Sequence, residues 1–396
     1  MAFIVASPLA FGEGRRGCET EDAMTPTADA ARARRYHRLR LGLGVLGLLL
    51  GIAYLGALLW SGASVWLAAA AAAWTPRAWL QLFVVLGALA LGWRLLTLPL
   101  AWLGGYWLPR RYGLLHQPFS RWLWDGAKAA AIGGALALAG AELAYALLRV
   151  TAWWWLWSAL AFFGVTVLLT LVAPVWLLPL FYRLVPLAEG PLRVRLVALA
   201  ARAGVPVLGV WVGDQSRKSR TANAAVTGLG RTRRIILFDT LLSEFTEDEV
   251  EAVLAHELAH HAHADMWRGL AVHGAVTLAT FWVADQLLVT GAARLGLAGP
   301  ADLGGVPLVG LIVLGAGLVT LPLTNGWSRR LERQADDFAV RVLGRADAFI
   351  AAMEKLAGLN LAERSPHPLK EVLLYSHPSI DRRIARARWL AGRSDG

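Results

Sequence analysis

Two histidines and a glutamate in the segment TEDEVEAVLAHELAHHAHAD, residues 246–265, are the side chains best suited to chemistry. His256 and His260 are about one helical turn apart, so in a helix both imidazoles leave the same face and can bind one metal ion. Glu257 lies beside them, where its carboxylate can hold and deprotonate a water molecule that the metal activates. The spacing therefore predicts a metal-dependent hydrolytic site on a helix.

The helix that must position these residues has a clear start in the sequence. Thr246 is a favourable N-cap, and Glu249 three residues later completes a capping box before the apolar positions of the helix. We therefore expect a rigid helix that begins after Thr246. Two further histidines, His261 and His263, are interpreted as members of a solvated helix face.

A catalytic zinc site usually has three protein ligands and one water, so a third ligand is needed. The best candidate is Glu332 in NGWSRRLERQADDFA, residues 325–339, directly after the last apolar stretch. Asp336, one turn further on, could orient a ligand histidine through a hydrogen bond. Taken alone, Glu332 is explained better by ion pairs with neighbouring arginines. However, Glu332 lies at the end of the last apolar stretch, just as the HExxH helix lies at the start of the fifth apolar stretch. This matching position favours the interpretation of Glu332 as a metal ligand.

The composition is that of a membrane protein. Of the 396 residues, 57% are hydrophobic and 17% charged, with a mean hydropathy of +0.49 and 19 tryptophans. The single cysteine, Cys18, excludes an intrachain disulfide and a cysteine-based zinc site. The net charge of +11 comes largely from arginines beside apolar runs, without a nucleic-acid motif. Topology signals and anionic headgroups therefore explain it better than nucleic acid.

Six apolar stretches approach the roughly 20 residues that a spanning helix needs. They are residues 41–60, 79–100, 129–148, 153–175, 270–289 and 306–323. The alanine-rich run 68–73 is interpreted as a helical extension or a short surface helix. Arginines precede the first stretch, and the loop between the second and third contains Arg110, Arg111, Arg121 and Lys128. By the positive-inside rule, both termini face the cytoplasm.

The chain divides into five regions by this pattern. The N-terminal tail lacks the order of a signal peptide, so the first span is expected to be an uncleaved anchor, and Met24 is an alternative start. Strands are expected at 207–213 and 234–238, with a loop and an edge strand within 216–230. The predicted fold is a mainly α-helical polytopic membrane protein with a cytoplasmic α+β zincin-like catalytic domain. Its regions are a cytoplasmic tail (1–40), a four-helix membrane region (41–181), a catalytic block (182–268), two further spans (269–324) and a helical block with the third ligand (325–396).

Several motifs occur together and in a fixed order. HExxH occupies residues 256–260, SRxxExxAD occupies 328–336, and SHPSIDRRI occupies 376–384. NAAVTGLGRTRRIILFDTLL occupies 223–242, and two motifs of the membrane half lie at 112–128 and 173–187. In these motifs and their order, the chain resembles the type I CAAX prenyl endopeptidases and their bacterial relatives, which are integral-membrane zinc peptidases of the gluzincin kind. HtpX-type membrane proteases are more distant kin. The resemblance covers about residues 40–390.

The resemblance implies a role for each matched residue of the metal site. His256, His260 and Glu332 would bind one Zn²⁺ per chain, and Glu257 would be the general base. Asp336 would support a ligand histidine.

The resemblance also implies roles for residues that act on the substrate. His377 would stabilise the developing oxyanion and Arg383 would assist with charge, while Asn223 and Ala224 would pair with the substrate backbone. As alternatives, His377 is a helix cap or a surface histidine, and Arg383 faces lipid or forms a salt bridge. The family pattern is not complete, since Ser379 replaces its second proline and Ala225 its aromatic residue. Residues 112–114, YGL, replace the fragment HGF.

Three functions remain open from the sequence. The first is a zinc endopeptidase that processes peptides in a CAAX-protease-like manner. The second is an HtpX-like quality-control protease for membrane proteins, and the third is a membrane scaffold or transporter with a vestigial metal site. The abundance of Ala, Arg, Gly and Leu with little Lys indicates a bacterial cytoplasmic membrane. The expected partners are a peptide or protein substrate and the lipid bilayer, without nucleic acid. Glu142 and Asp285, within the third and fifth spans, line a chamber or lie near the outer boundary.

Overall fold

The computed structural model describes residues 26–228 and 230–394, so Cys18 and the alternative start Met24 lie outside the described residues. Most of this chain is helical. The first seven helices are α1 (Pro26–Trp60), α2 (Ala63–Trp74), α3 (Ala78–Trp102), α4 (Leu108–Arg111), α5 (Phe119–Val150), α6 (Trp154–Val172) and α7 (Pro191–Arg202). The others are α8 (Asp239–Glu244), α9 (Glu247–Ala262), α10 (Asp265–Arg294), α11 (Val306–Leu343), α12 (Asp347–Leu359), α13 (Pro368–Leu374) and α14 (Ile380–Ser394).

Six helical segments in the described part of the chain are long and apolar enough to cross a membrane. They are Ala30–Trp60, Ala78–Arg111, Phe119–Val150, Trp154–Leu180, Asp265–Arg294 and Leu303–Leu343. The alanine-rich run lies in α2, which at 12 residues is too short to span. Large apolar side chains point outward from these segments, with Trp60 93%, Trp176 73% and Val319 71% exposed. Such a surface fits lipid better than water, and the predicted six-span architecture is confirmed.

A four-stranded sheet lies beside the membrane helices. Its strands are β1 (Leu184–Pro186), β2 (Val210–Gly213), β3 (Ala224–Thr227) and β4 (Arg234–Phe238). Their order is β1-β2-β4-β3, with β2 parallel to β4 and the other two pairs antiparallel. The structure confirms the predicted strand at 234–238 and an edge strand within 216–230, whereas the strand predicted at 207–213 begins only at Val210. The three-residue strand β1 was not predicted, because it is short and ends in proline.

Helix α9, which carries the HExxH motif, is fixed along its whole length. The predicted capping box is present: the Thr246 hydroxyl accepts from the Glu249 amide at 3.4 Å, and the Glu249 carboxylate accepts from the Thr246 amide at 2.7 Å. The first turns of α9 bind Arg195 through the carboxylates Glu247, Asp248 and Glu251. The apolar face of α9 packs into a core with the sheet, α7, α12 and α14. A buried, capped helix of this kind gives its side chains fixed directions.

Two predicted region boundaries fall inside continuous helices. The boundary at 268/269 lies in α10 and the boundary at 324/325 lies in α11. Helix α11 has 38 residues, so it rises about 57 Å along its axis. One continuous helix, with Pro322 in its interior, therefore includes both the last membrane span and the segment with Glu332.

The carboxylates inside the spans have different surroundings. Asp285 accepts a hydrogen bond at 2.6 Å from the indole of Trp154, the first residue of α6. For Glu142, the oxygen Oε1 is buried and has no hydrogen-bond partner in the described chain. Asp285 thus links two helices.

Candidate metal centre

The two HExxH histidines lie on one face of α9, as the spacing predicts. Their ring centroids are 5.0 Å apart and the ring planes are perpendicular. His256 is buried, with 7% of its surface exposed, and His260 is partly exposed. One imidazole is therefore shielded from solvent and the other borders an open cleft.

Glu332 on α11 completes a three-residue group with these histidines. Its carboxylate oxygens are 3.2 Å from His256 Nε2 and 3.6 Å from His260 Nε2. The three potential ligand atoms all lie within 4.8 Å of one another. Ligands about 2.0–2.1 Å from a tetrahedral zinc ion would be roughly 3.3 Å apart, so the spacing fits such an ion.

A second observation also fits a cation at this place. Glu332 is 4% exposed, and its buried oxygen Oε2 lies 3.2 Å from His256 Nε2 without the geometry of a hydrogen bond. A buried carboxylate oxygen is costly to leave unsatisfied, and a metal ion would satisfy it. Two nitrogens and one carboxylate oxygen are a donor set that suits zinc.

Each ligand histidine has a carboxylate behind it. The Nδ1 atom of His256 is 2.9 Å from Asp336, and the Nδ1 atom of His260 is 3.0 Å from Asp265. If each Nδ1–H donates to its carboxylate, each Nε2 keeps its lone pair directed at the shared site. Asp336 is the residue predicted from sequence for this position, whereas Asp265 is not among the predicted site residues.

Basic and acidic side chains of the site lie next to one another and shift each other's pKa. Burial disfavours an imidazolium at His256, but the neighbouring carboxylates of Asp336 and Glu332 outweigh it and raise the pKa of His256 above its usual range. Burial favours the neutral form of Glu332, but the neighbouring imidazoles of His256 and His377 outweigh burial and hold its pKa well below its usual range. The carboxylates thus favour a positive charge at this place, as a divalent cation would supply.

The Glu257 carboxylate lies near the same group. Burial raises its pKa, while the charges of His256, His260 and His377 lower it and the Glu332 charge adds to the rise. A carboxylate with a raised pKa is a better proton acceptor at neutral pH than an ordinary glutamate. Its placement is therefore compatible with the predicted role as general base.

His377, in the segment between α13 and α14, also lies beside Glu332. Its Nε2 atom is 3.2 Å from Glu332 Oε1, and its Nδ1 atom is 2.9 Å from the Ser376 hydroxyl. The side chain is 42% exposed, so it borders the open cleft. The preceding helix α13 is held against α11 by Arg329, which donates to the carbonyl oxygens of Glu371 and Tyr375. His377 is therefore neither a helix cap nor an isolated surface residue.

Arg383 lies behind the centre instead of in the cleft. Its guanidinium donates two hydrogen bonds to Asp336, at 2.9 and 2.7 Å, and its side chain is 10% exposed. Such a bidentate pair fixes the Asp336 carboxylate against His256. The structure thus favours the salt-bridged alternative for Arg383 and indicates a positioning role. Ser379, which replaces the family proline, donates its backbone N–H to Glu371 at 3.3 Å.

The strand β3 lies at the sheet edge beside α9. The Asn223 carbonyl oxygen accepts from the Phe238 amide, so alternation directs the backbone groups of Ala224 and Val226 towards the free edge. There the Val226 carbonyl oxygen binds His261 Nε2 at 2.8 Å, and the Asn223 side chain accepts from the Ala224 amide at 2.9 Å. The carbonyl group of Ala224 is thus directed to where a further strand could pair. His261, interpreted from sequence as solvated, instead fastens α9 to β3.

Replacing Asp265 by asparagine should weaken zinc binding about tenfold, because the His260 imidazole loses its anionic acceptor. The measurement is competition of the purified protein with a zinc-chelating dye. The matched control is Asp337→Asn. Asp337 lies on the same helix as Glu332, and its carboxylate pairs with Arg386 at 2.7 Å. Equal affinities for the two variants would show that the carboxylate behind His260 has no influence on the metal.

Comparison with known proteins agrees with this architecture. Residues 186–391 match peptidase family M48, and residues 19–183 match the N-terminal region of CAAX prenyl proteases, described as five membrane helices. Within that range the described chain has four candidate spans and the short helix α2.

Relatives match over different extents. The chain is 29% identical over 396 residues to the uncharacterized metalloprotease YhfN of Bacillus subtilis, which covers 97% of this chain and 92% of that protein. It is 34% identical over 171 residues to CAAX prenyl protease 1 of Saccharomyces cerevisiae, over 42% of this chain and 37% of that protein. Its fold is similar to the crystal structure of S. mikatae Ste24p, with a TM-score of 0.76, 24% identity and coverage of 91% and 88%. The chain is thus an integral membrane metalloprotease of peptidase family M48, related to the CAAX prenyl proteases and to HtpX.

Proposed function

We propose that this protein is a zinc-dependent endopeptidase that cleaves peptide bonds at the cytoplasmic face of a bacterial inner membrane. The observation that carries the proposal is the convergence of His256 and His260 from α9 with Glu332 from α11. These three residues would hold one Zn²⁺ per chain. The ion would supply a Lewis acid for the scissile carbonyl group and a water molecule of lowered pKa.

The remaining steps fall to the side chains of the protein. Glu257 accepts a proton from the attacking water on its carboxylate and later returns it to the leaving amine nitrogen. His377 donates a hydrogen bond from Nε2 to the oxygen that becomes negative as water adds to the carbonyl carbon. Asp336 and Asp265 hold the two imidazoles in place, and Arg383 holds Asp336.

The free edge of β3 supports a mode of substrate binding. An extended peptide beside Ala224 would add a strand to the sheet and present its backbone to the centre. Ala225, where the family has an aromatic residue, belongs to the hydrogen-bonded pairs with β4, so its backbone is not available to that peptide. The side chain of Asn223 would fix the backbone conformation of this edge through its bond to the Ala224 amide.

The cytoplasmic orientation rests on the distribution of arginines. Arg110 and Arg111 end α4 and Arg121 lies near the start of α5, so these arginines flank the loop between the second and third spans. This loop is joined to the catalytic side through the hydrogen bond from the His116 amide to the Lys218 carbonyl oxygen. The positive-inside rule places that loop in the cytoplasm. A C-terminal reporter that is fluorescent only in the cytoplasm should therefore be bright, and a dark, expressed fusion would reverse the orientation.

We favour processing of a CAAX-protease-like kind, in which a short peptide is removed from a membrane-associated substrate. A second candidate, supported by the relation to HtpX, is quality-control cleavage of membrane proteins. Cleavage rates distinguish the two candidate functions when they are measured with prenylated peptides, with the same peptides without the lipid, and with casein. Preference for the prenylated peptide supports processing, whereas preference for casein supports quality control.

Metal removal tests the proposal directly. The purified protein should contain about one zinc per chain, and a chelator should reduce cleavage of casein and of prenylated peptide to background. Added zinc should restore the activity, while magnesium should not. Cleavage that continues after complete removal of zinc would refute a zinc-dependent reaction.

A further inference from the structure

A groove away from the metal centre opens between α1, α3 and α5. Its volume is about 440 Å³. Gly104 and Gly105 lie in the π-helical segment Leu103–Trp107 that follows α3, and Trp122 of α5 borders the same space. A Cβ atom at Gly105 would lie 3.3 Å from the Trp122 indole, and one at Gly104 would lie 3.6 Å from Leu43. Side chains larger than glycine would therefore occupy the groove.

Two arginines line this groove, Arg40 from α1 and Arg94 from α3. Both are exposed, and neither guanidinium has a hydrogen bond, ion pair or ring contact within the described chain. Arg94 is the one charged residue of α3, which is otherwise apolar. An arginine in a membrane span is costly without a counter-charge, and none is supplied by the described residues, so we look for its partner outside them.

The depth of the groove indicates what that partner is. Arg94 lies 16 residues after Ala78, or about 24 Å along α3, within a hydrocarbon layer of about 30 Å. A long side chain at this depth can reach the headgroup layer at the far end of the helix. Arg40 lies one turn after His37, whose Nε2 bonds to the Leu361 carbonyl oxygen at 2.9 Å. The groove therefore opens on the membrane face that bears the catalytic domain.

We propose that this groove binds one anionic phospholipid. Its phosphate lies between the guanidinium groups of Arg40 and Arg94, and an acyl chain lies along Leu43, Leu100 and Gly104. Two unpaired cations select an anion, and the apolar walls within a membrane span select one with a hydrocarbon chain. A soluble phosphate would satisfy the arginines and leave these walls uncovered.

The test is native mass spectrometry of the full-length protein titrated with dioleoylphosphatidylglycerol, dioleoylphosphatidylcholine or glycerophosphate. The unmodified protein should retain one phosphatidylglycerol in preference to the other two. Arg40→Gln and Arg94→Gln should each weaken its binding about fivefold, and the double variant roughly 30-fold. The control, Arg38→Gln, removes an exposed arginine two residues before Arg40 that does not line the groove, and should change binding less than about twofold.

A second variant tests the apolar space of the groove separately from the charge of its arginines. Gly104→Leu keeps both arginines but fills the apolar space, so it should also release the lipid. Size-exclusion profiles and zinc content identify variants that remain folded. Binding by the double variant equal to that of Arg38→Gln would overturn the proposal. So would unchanged binding by Gly104→Leu, or glycerophosphate binding as tightly as phosphatidylglycerol, since either result describes an aqueous anion site.

Discussion

Replacing Glu257 by glutamine should abolish peptide hydrolysis while the metal stays bound. Glutamine keeps the size of the side chain and loses the proton-accepting carboxylate, so we expect a decrease in kcat of about 10³-fold, within the usual range of 10²–10⁴ for a general base. None of the three candidate ligand atoms belongs to Glu257. Metal content by elemental analysis and cleavage of casein or prenylated peptide are measured on the same preparation.

The control for this variant is Glu247→Gln. Glu247 lies on the same helix, is 49% exposed and forms its ion pair with Arg195. Losing that surface pair should change activity less than about twofold. Full activity of Glu257→Gln would remove Glu257 from the mechanism, whereas loss of zinc from that variant would make it a structural support of the site.

Replacing Glu332 by glutamine should remove the metal itself. The amide has no negative charge, and its NH₂ group cannot coordinate the ion that His256 and His260 face. Zinc content should fall below about a tenth of the unmodified value after dialysis, and hydrolysis should fall with it. Elemental analysis after dialysis against a weak chelator gives the measurement.

Two variants make this result specific. Glu332→Asp keeps the charge but shortens the side chain by one methylene group, so it should bind zinc more weakly than the unmodified protein and more tightly than Glu332→Gln. Asp337→Asn removes a carboxylate from the same helix that pairs with Arg386 and should retain zinc. Retention of stoichiometric zinc by Glu332→Gln would place the third ligand elsewhere.

The parts of the site that were predictable from sequence depend on neighbours within about one helical turn. The HExxH spacing and the Thr246 capping box are such local patterns, and both are present in α9. The strand at 234–238 was predicted with its observed bounds, because its β-branched and aromatic run has no competing helical period. Glu332 was predicted from its position at the end of the last apolar stretch, with support from the longer SRxxExxAD motif, since alone it looks like a surface ion-pair residue.

The contacts that were missed depend on chain reversals and distant partners. Asp265 reaches His260 because Ala264 adopts a left-handed backbone conformation, with φ of 54°, between α9 and α10. An alanine gives no sequence signal for that conformation. His261 binds the carbonyl oxygen of Val226, 35 residues earlier, so its partner is set by the packing of β3 on α9.

The predicted region boundary near 325 marks a change of composition inside one helix. The composition becomes polar there because the environment changes from lipid to water, but the helix does not end. Helix α11 continues to Leu343, and Gly344, with φ of 66°, caps it. Hydropathy thus reports which solvent surrounds a helix, whereas Gly344 marks where the helix terminates.

Because α11 is one continuous helix, a change of tilt in its membrane span would displace its catalytic end. Glu332 lies 26 residues from Val306, or about 39 Å along the axis. A pivot of about 1.5° at the far end moves the Glu332 carboxylate by roughly 1 Å, and helices pivot by far more than this to match membranes of different thickness. We therefore expect the thickness of the surrounding lipid to influence the gap between the Glu332 carboxylate and the two imidazoles, less so if α11 bends at Pro322.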